Sequence, residues 1–395
     1  MADLRLRNAR LWGTEGLSDV TIEDGRIADV DTASGEAETA GPDTVDLEGA
    51  LVIPGLVDAH AHVDKTLFGG PWVPRTAGPG LAAAIEYGAT ERVKYGVPNP
   101  DYITALLTNM AVHGTTRTRS HVDIDPGLGI DAVHAVREAV ERLEGRVDMQ
   151  MVAFPQTGLL VSPGTEELMN EALAAGVEYV GGIDPGGFDG DAVKHLDVVF
   201  EMAERHGAGV DIHVHDGDNL GVHEFDLIIE RTRALSMQGR VTISHAFALY
   251  DAAGAVRERL IEQLAENRIS VTSVAPKKVL PLKELDSAGV RTGIGNDGVR
   301  DLWSPYGTGE MLERTLWFAR NSGFSRDEDI ELALDAATFG GAEITGAEDY
   351  GLSAGSKADL VAVPARNAAE AVMTHPTPTV VVKGGKVTAR NGVLA

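Results

Sequence analysis

The chain has 395 residues, 43% of them hydrophobic, with no cysteine and a formal net charge of −26. Lacking cysteine, it has no disulfides, thiolate metal sites or cysteine nucleophile, so any bound metal must be held by imidazole and carboxylate. The acidic balance argues against nucleic acid and anionic membrane surfaces as partners, and the length calls for one large α/β barrel or two domains.

The opening stretch, MADLRLRNARLWG, scatters its charges and has no apolar signal-peptide core. No apolar run approaches the ~20 residues of a membrane span, and a cytoplasmic protein is expected. Residues 3–53 read as short strands with tight turns. DVTIEDGRIADVD sets Asp24-Gly25 between two strand-like runs, a two-residue hairpin signal. The far end repeats the pattern, with ADLVAVPA followed by TPTVVVKGGKVTARNGVLA and Gly384-Gly385 at the turn. Neither end makes a stable sheet alone. The expectation is one small β-sandwich domain built from residues 1–53 plus 349–395, with a barrel of residues 54–348 inserted between them.

Across the start of the insertion runs LVIPGLVDAHAHVD, residues 51–64, an apolar stretch that ends in titratable groups. It reads as a buried parallel strand leaving a core. Residues two apart on a strand share a face, so His60 and His62 point the same way and can grip one metal ion. Twelve histidines in 395 residues give about 0.4 His-x-His pairs by chance, and this chain has two. Further strand-like runs follow at roughly thirty-residue intervals, the size of a βα unit: RTRSHVDID, MQMVAFPQTG, VEYVGGIDP, VDIHVHD, VTISHAF, ISVTSV and VRTGIGND. Between them lie helical stretches such as DAVKHLDVVFEMAERHG, where Val193, Leu196, Phe200 and Ala203 fall on one face and Gly207 marks the stop. Eight strands alternating with helices favour a (β/α)8 TIM-like barrel over a doubly wound sheet.

Active sites of such barrels lie at the C-terminal strand ends. Strand one ends with His60 and His62, strand five with His213, His215 and Asp216, strand six with His245 and strand eight with Asp297. Seven titratable residues at four converging strand ends point to a metal-dependent site. The other histidines read differently. His134, His195 and His206 sit in expected helices, His113 just after one, His223 in the loop after strand five and His375 in the tail, all in packing or surface roles. His121, ending strand two, is read either as support behind the ligands or as packing.

Taken together, PGLVDAHAHVDK, HVHD, SHA and GND, with RTRSHVDID, VAFPQTG, NDGVRDLWSPYG and GSKADLVAV, resemble the amidohydrolase superfamily over nearly the whole chain. The branch they resemble is that of cytosine deaminase and N-isopropylammelide isopropylaminohydrolase. The resemblance implies that His60, His62, His213 and Asp297 ligate one divalent metal, zinc first, with iron or manganese as alternatives. It places His245 beside the metal and Gln156 on the heterocycle. Trp303 falls near the pocket, as substrate contact or as packing anchor. Binuclear relatives often bridge two metals through a carboxylated lysine at the end of strand four; here that strand reads Val180-Gly181-Gly182-Ile183-Asp184 and a mononuclear site is expected.

The chemistry implied is attack of metal-bound hydroxide on a ring carbon bearing an amine, with Asp297 moving the proton and His245 orienting the hydroxide or stabilising charge. Where cytosine deaminase has a glutamate after the strand-five ligand, this chain has Asp216, preceded by His215; where it has a threonine on strand one, this chain has Lys65; and Gly298 follows Asp297 where the relatives carry a polar side chain. The expected assignment is that His215, helped by Lys65, protonates the ring while Asp216 orients. The favoured function is an aminohydrolase acting on a small pyrimidine- or triazine-like heterocycle. The alternatives are a ring-opening cyclic-amide or imidazolone hydrolase and a non-catalytic scaffold. A homo-oligomer is left open.

Overall fold

The computed structural model describes residues 3–33, 43–76, 78–275 and 278–395; the part of the expected small domain at 34–42 lies outside them. Eight parallel strands form one sheet in sequence order: β1 (Leu56–Ala61), β2 (Thr115–Asp123), β3 (Asp148–Phe154), β4 (Tyr179–Ile183), β5 (Gly209–His213), β6 (Val241–Ser244), β7 (Ser270–Ser273) and β8 (Thr292–Ile294). Helices follow the strands and cover the outside, as the alternating pattern requires. The helix Ala192–His206 buries Leu196, Phe200 and Ala203 and ends at Gly207, whose φ of 65° suits the left-handed cap. Val193, expected on the same face, is instead exposed; the buried stripe also takes in His195, Val199 and Met202.

The barrel closes where β1 meets the chain leaving β8. Ala61 bridges Asp297 in parallel, the Asp297 amide donates to the His60 carbonyl at 2.9 Å, and the His62 amide donates to the Asp297 carbonyl at 3.2 Å. Buried Asp58 staples the seam from below, accepting from the Asn296 amide at 3.1 Å, the Asn296 side chain at 2.8 Å and the His60 amide at 3.2 Å. Such close approach needs residues without a side chain. A Cβ on Gly295 would lie 2.2 Å from the His60 carbonyl oxygen, and one on Gly293 would lie 2.7 Å from the Ala59 Cβ.

The two chain ends meet in a second, nine-stranded mixed sheet. Its junction is Leu51–Pro54, paired antiparallel with Leu360–Val363 and parallel with the end of Leu4–Leu11. Residues 51–64 are therefore not one strand. The chain breaks at Gly55, where a Cβ would meet Thr116 Oγ1 at 2.3 Å, and changes sheets there. The period-two rule then sorts its residues. Leu51 and Ile53 join Val361, Val363 and Val381 against helices packed around Phe318 and Leu334. Val52 joins Leu360, Ala362, Leu6 and Ile22 in the core of the small sheet. Both hairpin turns form as expected, with positive φ at Asp24, Gly25, Gly384 and Gly385.

Replacing Gly295 by Ala should destabilise the fold by about 1–3 kcal/mol or more, because backbone, not a flexible side chain, blocks the new Cβ. Denaturant unfolding measures it, and an unchanged midpoint would show that the seam has slack.

Candidate active site

At the C-terminal mouth, the side chains of His60, His62, His121 and His213 bring ligand-capable atoms within 4.8 Å of one another, and His60, His245 and Asp297 form an overlapping group. His62 Nε2 lies 3.1 Å from His213 Nε2. Asp297 Oδ1 lies 3.4 Å from His62 Nε2 and 3.8 Å from His60 Nε2. All three imidazoles are buried. Burial first, then neighbouring His121 or, for His62, Lys65, holds them well below their ordinary pKa. They are neutral, each with a ring nitrogen free to bind a cation.

The orientation of His60 follows from its neighbours. Ser244 Oγ lies 2.5 Å from Asp211 Oδ1, to which it donates, and 2.9 Å from His60 Nδ1, from which it accepts. Nδ1 therefore carries the hydrogen, and the lone pair of Nε2, a buried atom with no hydrogen-bond partner among the described residues, faces the cluster. Asp211 keeps its charge, and its pKa stays below the carboxylate range, because His121 and Arg119 outweigh its burial. Arg119, wholly buried, donates to Asp211 at 2.9 Å and to the Ile344 carbonyl at 2.6 Å, and stacks 3.9 Å above Tyr179. His121 Nε2 is 3.3 Å from the same Asp211.

Functional side chains past β5 and β6 stand in turns, not in the strands. His245 has φ 65°, a left-handed conformation that is strained for a residue with a side chain. Its ring lies 4.7 Å from that of His213 and 4.0 Å from that of His215. His215 is fixed by Asp184, which accepts from its Nδ1 at 2.9 Å and from its amide at 2.6 Å. Asp216 faces elsewhere: its Oδ2 accepts from the Gly187 amide at 2.8 Å, and its carboxyl meets that of buried Glu224, which accepts from the Gly186 amide at 2.7 Å. Burial, and then the Asp216 charge, push Glu224 up to about 9.

Beside the cluster opens a cavity lined by Lys65, Gln156 and Trp303, with Asp64, Asp123 and Asp301. Lys65 Nζ donates to Gln156 Oε1 at 2.6 Å, lies 3.4 Å from Asp123 Oδ1 and sits 5.1 Å from the Trp303 ring. Burial opposes its charge, but Asp123, Asp64, Asp301 and Asp297 outweigh burial and raise its pKa. The space a Gly298 side chain would need is taken by Asp301, whose Oδ2 would lie 1.9 Å from the added Cβ. At β4, a Cβ on Gly181 would meet the Ala153 carbonyl and one on Gly182 the His195 ring, and the residue paired with His213 is Ile183.

The residues singled out from sequence thus fall into three places. His60, His62, His213, His245, His215 and Asp297 gather at the mouth, Lys65, Gln156 and Trp303 line the adjoining cavity, and Asp216 points into the loop after β4. Sequence reasoning missed Asp184, Asp211, Ser244, Asp58 and Asp301. Asp211 carried a signal, since it lies two residues before His213 on the same face of a strand. His121, left between two roles, joins the cluster. His195 packs in its helix against Asp189 at 2.6 Å, and His223 lies in the helix Asp218–Ala234, not in a loop.

An eight-stranded barrel with a buried, metal-competent group of imidazoles and a carboxylate at its mouth defines a known class of hydrolase scaffold. The amidohydrolase family model matches residues 43–103 and 99–389, and the chain belongs to that family. It is 31% identical over 405 residues to the N-isopropylammelide isopropyl amidohydrolase of Pseudomonas sp. (strain ADP), an alignment spanning 99% of this chain and 98% of that protein. Among solved structures it is similar to N-isopropylammelide isopropylaminohydrolase from Burkholderia multivorans ATCC 17616, at 42% identity and TM-score 0.94 over 100% of both chains. It is also similar to 5-methylcytosine deaminase from Klebsiella pneumoniae liganded with 5-fluorocytosine, at 27% identity and TM-score 0.84 over 97% of both.

The Glu224–Asp216 pair sets a pH dependence. A glutamate raised from 4.5 to about 9 contributes stability that is complete below 4.5 and lost as pH climbs through 9. Glu224→Gln keeps a donor for Asp216 without a titrating proton. Its thermal midpoint should gain on the wild type steadily from pH 5 to pH 9; parallel profiles would contradict the pairing.

Proposed function

We propose that this protein is a metal-dependent aminohydrolase that cleaves an exocyclic C–N bond of a pyrimidine- or triazine-like heterocycle. Residues 54–348 would be its catalytic unit, with 1–53 and 349–395 as the flanking one. The observation that carries this reading is the convergence of neutral His60, His62 and His213 with Asp297, next to a cavity that offers Lys65 and Gln156. The activities named for the similar proteins are consistent with it.

His60, His62, His213 and Asp297 would hold one divalent ion, zinc by the preference of imidazole and carboxylate donors; the glycines of β4 leave a bridging second ion unsupported. When bound, such an ion activates water as a nucleophile at neutral pH. Asp297, whose side chain is 39% exposed toward the mouth, takes the proton from the attacking water and delivers it to the departing amine. His245 orients the water and stabilises the charge that develops as the ring carbon becomes tetrahedral. His215, steadied by Asp184, protonates the ring nitrogen beside that carbon, while Asp216 orders the neighbouring loop. Lys65 and Gln156 grip the polar edge of the ring, and Trp303 bounds the cavity.

Elemental analysis should find one metal per chain, and a screen of pyrimidines, pterins and triazines should release ammonia or an alkylamine with the ring intact. A ring-opened product would favour the cyclic-amide alternative. In metal-loaded protein, Asp297→Asn should fold normally and lose ~10²–10⁴-fold in kcat. On the same substrate His215→Asn should lose far more than Asp216→Asn; the reverse order would return the proton-donor role to Asp216.

A further inference from the structure

One buried imidazole at the mouth has no part in the proposed reaction. His121, near the end of β2, is wholly buried, and neither of its ring nitrogens has a hydrogen-bond partner among the described residues. Its ring centre lies 4.3 Å from that of His60, 4.5 Å from that of His213 and 5.3 Å from that of His62. Two groups of ligand-capable atoms overlap here and share His60. One is His60, His62, His121 and His213, four nitrogens within 4.8 Å of one another; the other is His60, His245 and Asp297. The four-imidazole group lies deeper, since His121 is wholly buried while the Asp297 side chain is 39% exposed. The 3.1 Å between the Nε2 atoms of His62 and His213 is close to the ~3.3 Å that separates two nitrogens bound tetrahedrally to one ion at ~2.0–2.1 Å.

The donor set decides what fits the deeper position. It offers four imidazoles and no carboxylate. Affinity at nitrogen sites rises along the first-row divalent ions to copper and falls again at zinc, while carboxylate and water suit harder ions. We propose that His121 completes, with His60, His62 and His213, an all-imidazole cation position below the catalytic one, which takes copper(II) without Asp297. The two positions draw on the same imidazoles, so one ion excludes the other. The assignment stands on the imidazole geometry and needs no assumption about the reaction. The competing use of His121 is a partnership with Asp211, whose Oδ1 lies 3.3 Å from Nε2; a ring held there as an imidazolium has no lone pair to give.

The test is electron paramagnetic resonance on the full-length protein, stripped with a chelator and given one equivalent of copper(II); pulsed spectra count the imidazoles bound to the ion. Wild type should show four. Asp297→Asn should show the same four, because its carboxylate is not a ligand at this position. His121→Asn should show three, and in competitive titrations it should narrow the preference for copper(II) over zinc at least ~10-fold, the scale on which even outer partners of metal ligands act. Three imidazoles and an oxygen donor in the wild type would overturn the proposal, showing that Asp211 keeps His121 or that copper(II) sits with Asp297. So would a spectrum unchanged by His121→Asn. The wild-type count needs neither a folded variant nor a substrate. It therefore decides the deeper position separately from the aminohydrolase reading, which amine release tests.

Discussion

Everything at the active site depends on the contact between the end of β1 and the chain leaving β8. That seam closes the barrel, and the same backbone hydrogen bonds that close it set Asp297 against His60 and His62. Asp297 takes φ 61° to make the turn, a conformation costly for a residue with a side chain and retained where surrounding structure enforces it. The enforcement is visible in Asp58, Asn296 and Gly295. Asn296 itself is gripped by Arg314, which donates to its carbonyl at 2.8 Å. Fold closure and the placement of Asp297 beside His60 and His62 are one constraint.

The imidazoles impose the second constraint. Four buried rings within reach of one another cannot all be charged, and burial disfavours the charged form of His60, His62 and His213. The charge that is allowed lies one layer deeper, in the Arg119–Asp211 pair, and reaches His60 through a serine hydroxyl. A buried pair of this kind is weak evidence for stability; its value here is directional, since it fixes which nitrogen of His60 faces the cluster. Around the cavity the logic is reversed, because carboxylates crowd Lys65 and keep it an ammonium among apolar walls.

Much of this was legible in the chain. His-x-His at a strand end, repeated polar strand ends and glycine-marked turns pointed to the barrel, the pairing of the two termini and the gathering of histidines at its mouth, because those features depend on local periodicity. What was not legible depended on tertiary contact. Residues 51–64 carry one apolar pattern but serve two sheets, and only the packing of Gly55 against Thr116 divides them. Asp216 and His215 are adjacent in sequence, yet one turns to Glu224 and the other to Asp184, partners that no spacing rule connects. Asp301 occupies the space a side chain on Gly298 would need, a contact between residues three apart that the sequence alone does not reveal.

We propose one ion at the seam, bound by three imidazoles and the carboxylate of Asp297. X-ray absorption at the zinc edge of the reconstituted protein measures this directly. A single site with about three nitrogen scatterers from imidazole and one or two oxygens near ~2.0–2.2 Å is expected, with loss of one imidazole contribution in His213→Asn. A zinc–zinc vector, or an unchanged imidazole count in that variant, would contradict it.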